Sequence, residues 1–349
     1  MKKQFINTVI KLGLPAMALL SAPAFAQTNV TVYGMVDVFL GPVQTPGVKK
    51  AFVEQGGGLS TSYVGFAGSE QIDADLKAIF TLESYLQTDT GALGNFPGDV
   101  LFSRNAFVGL SSRTYGTIKL GRLAPHLFAQ AVKFNPFANS FNFSPIILQT
   151  YRTLGAQGVI GATDWNNAVS YLSPSFGGFA VGGIHSFGED PDDASTRKES
   201  LLLSYDHGPL STAAVYQYAN YNSVAGDIAT AIPAIPGLTS QSVFQLDASY
   251  DFTQLELYAQ YMYTQDSARI EGQHVDTGQL GVSIPVGTDA VLASYAYSKA
   301  STDDRRKTFA VGYDHPLSKR TELYALFKSD RFTGISEGNS LGFGMRTKF

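Results

Sequence analysis

The chain has 349 residues, no cysteine, 18 tyrosines, 24 phenylalanines and 35 glycines. Without cysteine it has neither a disulfide framework nor a thiolate metal site, and a net charge of −4 argues against the basic surface that nucleic acid needs. Beyond residue 26 no run of 18 apolar residues occurs. That excludes helical membrane spans but leaves open a closed β-barrel, the only other fold that lipid tolerates.

At the start, Lys2, Lys3 and Lys11 precede an apolar stretch from Leu12 to Leu20, and Ala24-Phe25-Ala26 follows. This order predicts a secretory signal peptide over residues 1–26. Its apolar stretch is too short to span a bilayer, which takes about 20 helical residues, so cleavage after Ala26 is expected rather than a retained anchor. Residues 27–349 then form one barrel domain. With the three leader lysines gone, 22 basic residues face 29 acidic ones, a net charge of −7.

The rest breaks into sixteen alternating segments of about ten residues, the length of a tilted membrane strand. They cover 29–40, 59–69, 74–87, 102–111, 115–122, 164–173, 178–187, 198–206, 209–219, 241–252, 254–265, 275–286, 289–299, 306–315, 320–330 and 339–349. Phe244, Leu246, Ala248 and Tyr250 alternate with Gln245, Asp247, Ser249 and Asp251, a period of two that no helix fits. Short turns such as 206–209 and 314–318 alternate with longer connections such as 188–197, 220–240 and 330–338. This sorting of connections is that of outer-membrane barrels. In the closing segment Leu341, Phe343, Met345 and Phe349 share one parity, and Gly342, Gly344, Arg346 and Lys348 the other. The fold class is therefore all-β, a sixteen-stranded antiparallel transmembrane barrel with Phe343, Met345 and Phe349 toward lipid.

Several stretches are similar to a known family. These include Tyr63-Val64-Gly65-Phe66-Ala67-Gly68-Ser69-Glu70, Leu76 to Glu83, Arg104-Asn105-Ala106-Phe107-Val108-Gly109-Leu110 and Gly116 to Arg122. Tyr171-Leu172-Ser173-Pro174, Tyr205 to Leu210 and Leu317 to Thr321 follow in order. Together they resemble the Gram-negative porins typical of beta-proteobacteria. The resemblance implies an outer-membrane location and a water-filled barrel, usually a homotrimer among outer-membrane lipid and lipopolysaccharide. It also implies a long third external loop folded into the lumen, and a second external loop, about 88–101 with Asp89 and Asp99, that clasps a neighbouring subunit. Three positions depart from the family pattern: Tyr63 often is Arg, Met35 often is basic, and Thr347 usually is His.

A diffusion channel sorts solutes by the width and charge of its narrow zone. The 41 residues from Leu123 to Thr163 hold His126, Lys133 and Arg152, six phenylalanines and tyrosines, and no acid. A loop that long is functional as a rule, and one so aromatic must pack against something. Strand parity puts Arg104, Lys119, Lys77, Glu83, Tyr63 and Asp37 on the lumen wall, with Asp164 at the start of the sixth strand. Lys133 and Arg152 add charge from the loop, so a weak to moderate anion preference is expected. Arg122 has outward parity, as do the small Gly34, Gly68 and Gly109, and a subunit interface would spare it from lipid.

The expected function is passive passage of small hydrophilic solutes and ions, with no enzyme activity and no cofactor. A lipase-like barrel enzyme would need a Ser–His pair on one face, and His185-Ser186 are strand neighbours that face opposite ways. A non-channel adhesive or structural β-protein is the remaining alternative. The five histidines lack metal spacing. Glu189, Asp190, Asp192 and Asp193 lack calcium-loop spacing and read as a solvated loop.

Overall fold

The computed structural model describes residues 29–349 except 97, 153, 155–157, 189–196, 221–236 and 269–271. The predicted signal peptide, the acidic run 189–193 and most of 220–240 lie outside the described residues.

Among the described residues, seventeen strands form one antiparallel sheet. In chain order they are β1 (Asn29–Val43), β2 (Ala51–Gly56), β3 (Tyr63–Gln71), β4 (Leu76–Tyr85), β5 (Ala106–Ser112), β6 (Gly116–Leu123), β7 (Trp165–Leu172), β8 (Phe179–Ser186) and β9 (Lys198–His207). Then come β10 (Leu210–Asn220), β11 (Leu238–Asp251), β12 (Glu256–Ala268), β13 (His274–Val286), β14 (Asp289–Ala300), β15 (Arg305–Pro316), β16 (Thr321–Phe332) and β17 (Gly338–Lys348). The last strand returns to the first, with Met35 opposite Lys348 and Leu40 opposite Phe343. This pairing closes the sheet on itself, as a lipid environment demands, although β2 pairs with β1 alone.

β2 and β3 both pair with β1, so they are two halves of one stave and the barrel has sixteen staves. Val38 pairs with Gly56 and Met35 with Tyr63, so only Val36 and Asp37 of β1 face the six residues 57–62. Sequence alternation placed the second strand at 59–69 and missed both β2 and this insertion. Its backbone starts with Gly57 at φ +85°, which favours glycine.

The side-chain pattern follows the pleat. Phe343, at 58% exposure, Met345 and Phe349 lie on an exposed apolar face, and Gly342 is buried on the other. On β11, Phe244, Leu246 and Tyr250 are exposed, whereas Gln245 and Asp247 are buried. A one-residue slip would invert every such face. Because the chain lacks cysteine, single cysteines report facing cleanly. Cysteines at 343 and 345 in reconstituted membranes should resist a water-soluble maleimide, and one at 348 should react. The opposite pattern would reverse the facing of β17.

Connections alternate in length up to β11, from the two-residue turn 208–209 to the 41 residues between β6 and β7. The predicted long loop 330–338 shrinks to 333–337, because β16 runs on to Phe332 and Arg331 and Ser329 both hold Glu337. The 41-residue connection, residues 124–164, carries two short helices, α1 (His126–Lys133) and α2 (Pro145–Tyr151). Leu127, Phe128, Phe134, Ile146, Ile147 and Tyr151 form a core with Leu202, Val215, Val243 and Met262 of the wall. Burying such side chains is worth roughly 1.5–3 kcal/mol each. This explains why these aromatic and aliphatic side chains pack on the wall.

Candidate functional site

Glu83 sits on the polar face of β4 and is 5% exposed. Its Oε1 accepts the Tyr33 hydroxyl at 2.6 Å, and its Oε2 accepts the Asn105 amide at 2.6 Å and pairs with the Arg104 guanidinium. Arg104, with 26% of its side chain exposed, lies 4.3 Å over the Tyr63 ring. Lys119 of β6 lies 4.7 Å over Phe107. The acid is thus enclosed by donors, while two cations rest on aromatic faces that favour them.

A second group joins the loop to β15 and β16. Arg306 and Asp330, 2% and 1% exposed, pair through two hydrogen bonds of 3.1 and 2.8 Å, the fork geometry of strong ion pairs. Arg306 also donates to the carbonyls of Leu148 and Arg152. Gln149 reaches Thr308 Oγ1 at 3.0 Å and the Ala296 carbonyl at 2.9 Å. Lys328 is buried beside them, and Arg152 is exposed at the end of α2. Farther along the loop, Gln260 and Gln279 donate to the Phe134 carbonyl, and Gln241 holds Ile160 and Gly158.

A cavity of about 540 Å³ is lined among others by Thr61, Tyr85, Arg122, Phe141, Arg152 and Asp164. Asp164, just ahead of β7, is buried and accepts the Tyr85 hydroxyl at 3.1 Å and the Thr163 hydroxyl at 2.9 Å. Burial, opposed by nearby Arg122, pushes its carboxyl up to about 6. Burial, reinforced by Lys119, pushes the His126 imidazole of α1 down to about 4, so it stays neutral near pH 7.

A closed barrel with an apolar outer face, and a polar inner face studded with such groups, is the architecture of a membrane channel. The model of the Gram-negative porin family matches residues 13–335. The chain belongs to the Gram-negative porin family. It is 31% identical to outer membrane porin protein 32 of Delftia acidovorans, over 90% of this chain and 88% of that one. It is 26% identical to an outer membrane porin protein of Bordetella pertussis, over 97% and 100%. Among solved structures it matches the anion-selective porin from Comamonas acidovorans with a TM-score of 0.78, at 25% identity, over 93% and 100%. This porin is therefore an outer-membrane channel protein and not an enzyme.

Of the residues picked from sequence, the fold of the porin brings Arg104, Glu83, Tyr63 and Lys119 together. Arg104 gets there by a route other than the parity it was placed on. Inward parity for Arg104 puts Ala106 and Val108 on the inner face of β5 as well, yet Val108 is 56% exposed, and Phe107 and Gly109 turn inward. Arg104 reaches Glu83 because 103–105 precede β5, where strict alternation does not hold. Lys77 is exposed near the 72–75 turn, six residues along β4 from Glu83 and remote from the group. Lys133 pairs with Asp206, two residues from the 208–209 turn.

One expectation is corrected. Asp37 is no lumen charge, because it is fully buried with its oxygens held by backbone amides. Arg122 keeps the outward backbone parity of the exposed Ile118 and Leu120. It is half-buried, donates to the Ser103 carbonyl at 2.7 Å and to Asn166, and lines the cavity. Sequence reading missed Arg306, Lys328 and Asp330, although the parity rule applied to β15 and β16 would have found all three opposite the exposed Phe309 and Phe327.

Asp164 gives the porin a pH dependence of defined sign. Its folded carboxyl binds a proton more tightly than in the unfolded chain, so its contribution to stability grows as pH falls through about 6. The same protonation removes a negative charge beside Arg122, so anion preference should rise between pH 7 and 5. In Asp164→Asn, neutral throughout, that rise should be smaller. An identical rise in the variant would take Asp164 out of the selectivity account.

Proposed function

We propose that this porin is a passive channel for small hydrophilic solutes and ions, narrowed by residues 124–164 lying within the barrel, with a weak to moderate anion preference. The observation that carries this reading is the set of partners the loop holds. Gln241, Gln260, Gln279, Arg306 and Thr308 all belong to the polar face of their strands, opposite the exposed Phe244, Tyr261, Leu280 and Phe309.

Exposure supports the sign of the preference. Glu83, Asp164, Asp247, Asp266 and Asp330 are all buried, whereas Arg152 is exposed and Arg104 and Lys119 are half-buried. A solute in the narrow zone therefore meets cations first, where low-dielectric walls strengthen their field. The anion selectivity of the Comamonas porin points the same way.

The working form is proposed to be a homotrimer in outer-membrane lipid and lipopolysaccharide. Arg122 and the second external loop with Asp89 and Asp99 are candidates for the contact. Purified protein in planar bilayers should insert as current steps in groups of three, and liposomes containing it should swell faster in small sugars than in large ones. An absence of steps and of swelling would leave a non-channel β-protein as the reading.

A further inference from the structure

The interruption in the second stave is organised by one carboxylate. Asp37, 0% exposed, accepts the amide of Gly58 on Oδ1 at 2.9 Å and those of Leu59 and Ser60 on Oδ2 at 3.0 and 2.8 Å. The Tyr324 hydroxyl donates to the same carboxylate. The Asp37 amide donates to Ser62 Oγ at 2.9 Å, and its carbonyl accepts the Gly57 amide at 3.1 Å. Ser60 Oγ in turn accepts from Arg346 at 2.8 Å. Every end of the six-residue insertion is thus tied back to β1, β16 or β17.

In an unbroken strand the carbonyls of this stretch would pair with a neighbouring strand. Here they hold the loop instead. Ser140 Oγ donates to the Gly58 carbonyl at 2.6 Å, with the Gly57 carbonyl at 3.1 Å. Asn142 Nδ2 donates to the Gly56 and Gly57 carbonyls, both at 3.1 Å. Asn139 and Thr61 bond reciprocally, Nδ2 to Oγ1 at 2.7 Å and amide to Oδ1 at 3.3 Å. Next to these, the Phe143 ring packs edge-on against Phe39 with centroids 5.2 Å apart, over Gly342, where an added Cβ would fall 2.8 Å from the ring.

We propose that Asp37 is a positioning residue for the width of the channel. It touches no solute. It holds 57–62 open as a cradle, and the cradle fixes residues 139–143, the part of the loop between α1 and α2. The proposal rests on the reading that the loop lies within the barrel. It goes beyond that reading by assigning the control of width to a buried group on the wall, outside the loop itself. An asparagine at 37 keeps one acceptor oxygen but turns an N–H₂ toward amides that can only donate, so the cradle should open.

Single-channel recording of the refolded full chain tests this with three variants. Asp37→Asn and the pair Ser140→Ala/Asn142→Ala should each raise open-channel current noise several-fold and shift the mean conductance in the same direction. Because both act on one linkage, the combination should do no more than either alone. Thr61→Cys/Asn139→Cys, in a chain with no other cysteine, should be quiet when oxidised. It should keep Asp37→Asn quiet until a reductant is added. A role limited to stability would leave noise insensitive to that redox cycle.

Should Asp37→Asn fail to fold, the loop-side pair and the cysteine pair carry the test alone. Wild-type noise and conductance in the loop-side pair would overturn the proposal. A wild-type protein without current steps would instead overturn the channel reading, and the proposal with it.

Discussion

Asp330→Ala should destabilise the barrel by about 3–5 kcal/mol, the usual consequence of stranding one member of a buried ion pair. Arg306 is left 2% exposed with its two strongest acceptors gone. Its remaining bonds to the Leu148 and Arg152 carbonyls do not neutralise its charge. Thr308 Oγ1 loses its acceptor as well. The urea midpoint of refolding in detergent is the measurement, and it should fall well below that of the wild type. Replacing both partners with apolar residues of similar volume should recover much of the loss, because the desolvation of two charges disappears together with their attraction. An unchanged midpoint in Asp330→Ala would mean that the pair is solvated. The loop between α2 and β7 would then need another anchor.

The second large effect concerns ions. Arg104→Glu should move the zero-current potential in a salt gradient toward cations. It removes a half-exposed cation and adds an acid beside Glu83, whose Tyr33 and Asn105 donors remain. A change of about 1 kcal/mol in the local field corresponds to roughly fivefold in the permeability ratio. Screening shortens to about 3 Å in molar salt, so most of the shift should vanish there. Lys77→Glu, far along β4, should shift the potential much less. Equal shifts from the two positions would show that overall wall charge, rather than the Arg104 group, governs passage.

The parts of this protein legible in its sequence are those where one physical rule acts alone. β11, β12 and β17 face lipid on one side and polar surroundings on the other, so each apolar residue reveals its direction, and their predicted limits lie within a few residues of the observed ones. β5 misleads because Phe107 and Val108 are both apolar for different reasons. Val108 lies on the exposed outer face, while Phe107 packs against the Leu123 and Trp165 cluster and under Lys119. Outward parity was correct for Arg122, but a long side chain at a strand end turns back to the Ser103 carbonyl, and parity says nothing about such reach.

That the loop packs against something was legible from its aromatic content, but α1 and α2 were not. Seven- and eight-residue helices are marginal alone. Their stability comes from wall partners distant in sequence, such as Gln149 on Ala296 and Gln260 on Phe134. Asp37 shows the same limit from the other side. Parity placed it on the inner face, where a lone aspartate reads as a pore charge. Only the insertion 57–62, which arises from the change of register between β2 and β3, turns it into a buried anchor.

The most direct test of an anion-preferring channel is the zero-current potential of the wild-type protein in a planar bilayer at neutral pH, with a tenfold gradient of potassium chloride. The expected result is a potential of the sign set by chloride moving down its gradient, modest in size and shrinking as both sides approach molar salt. A potential of the opposite sign would mean that Asp164, Asp247 and the other inner acids outweigh Arg104, Lys119 and Arg152. It would contradict the account of a narrow zone in which Glu83, Asp164 and Asp330 are buried while Arg152 is exposed and Arg104 and Lys119 are half-buried.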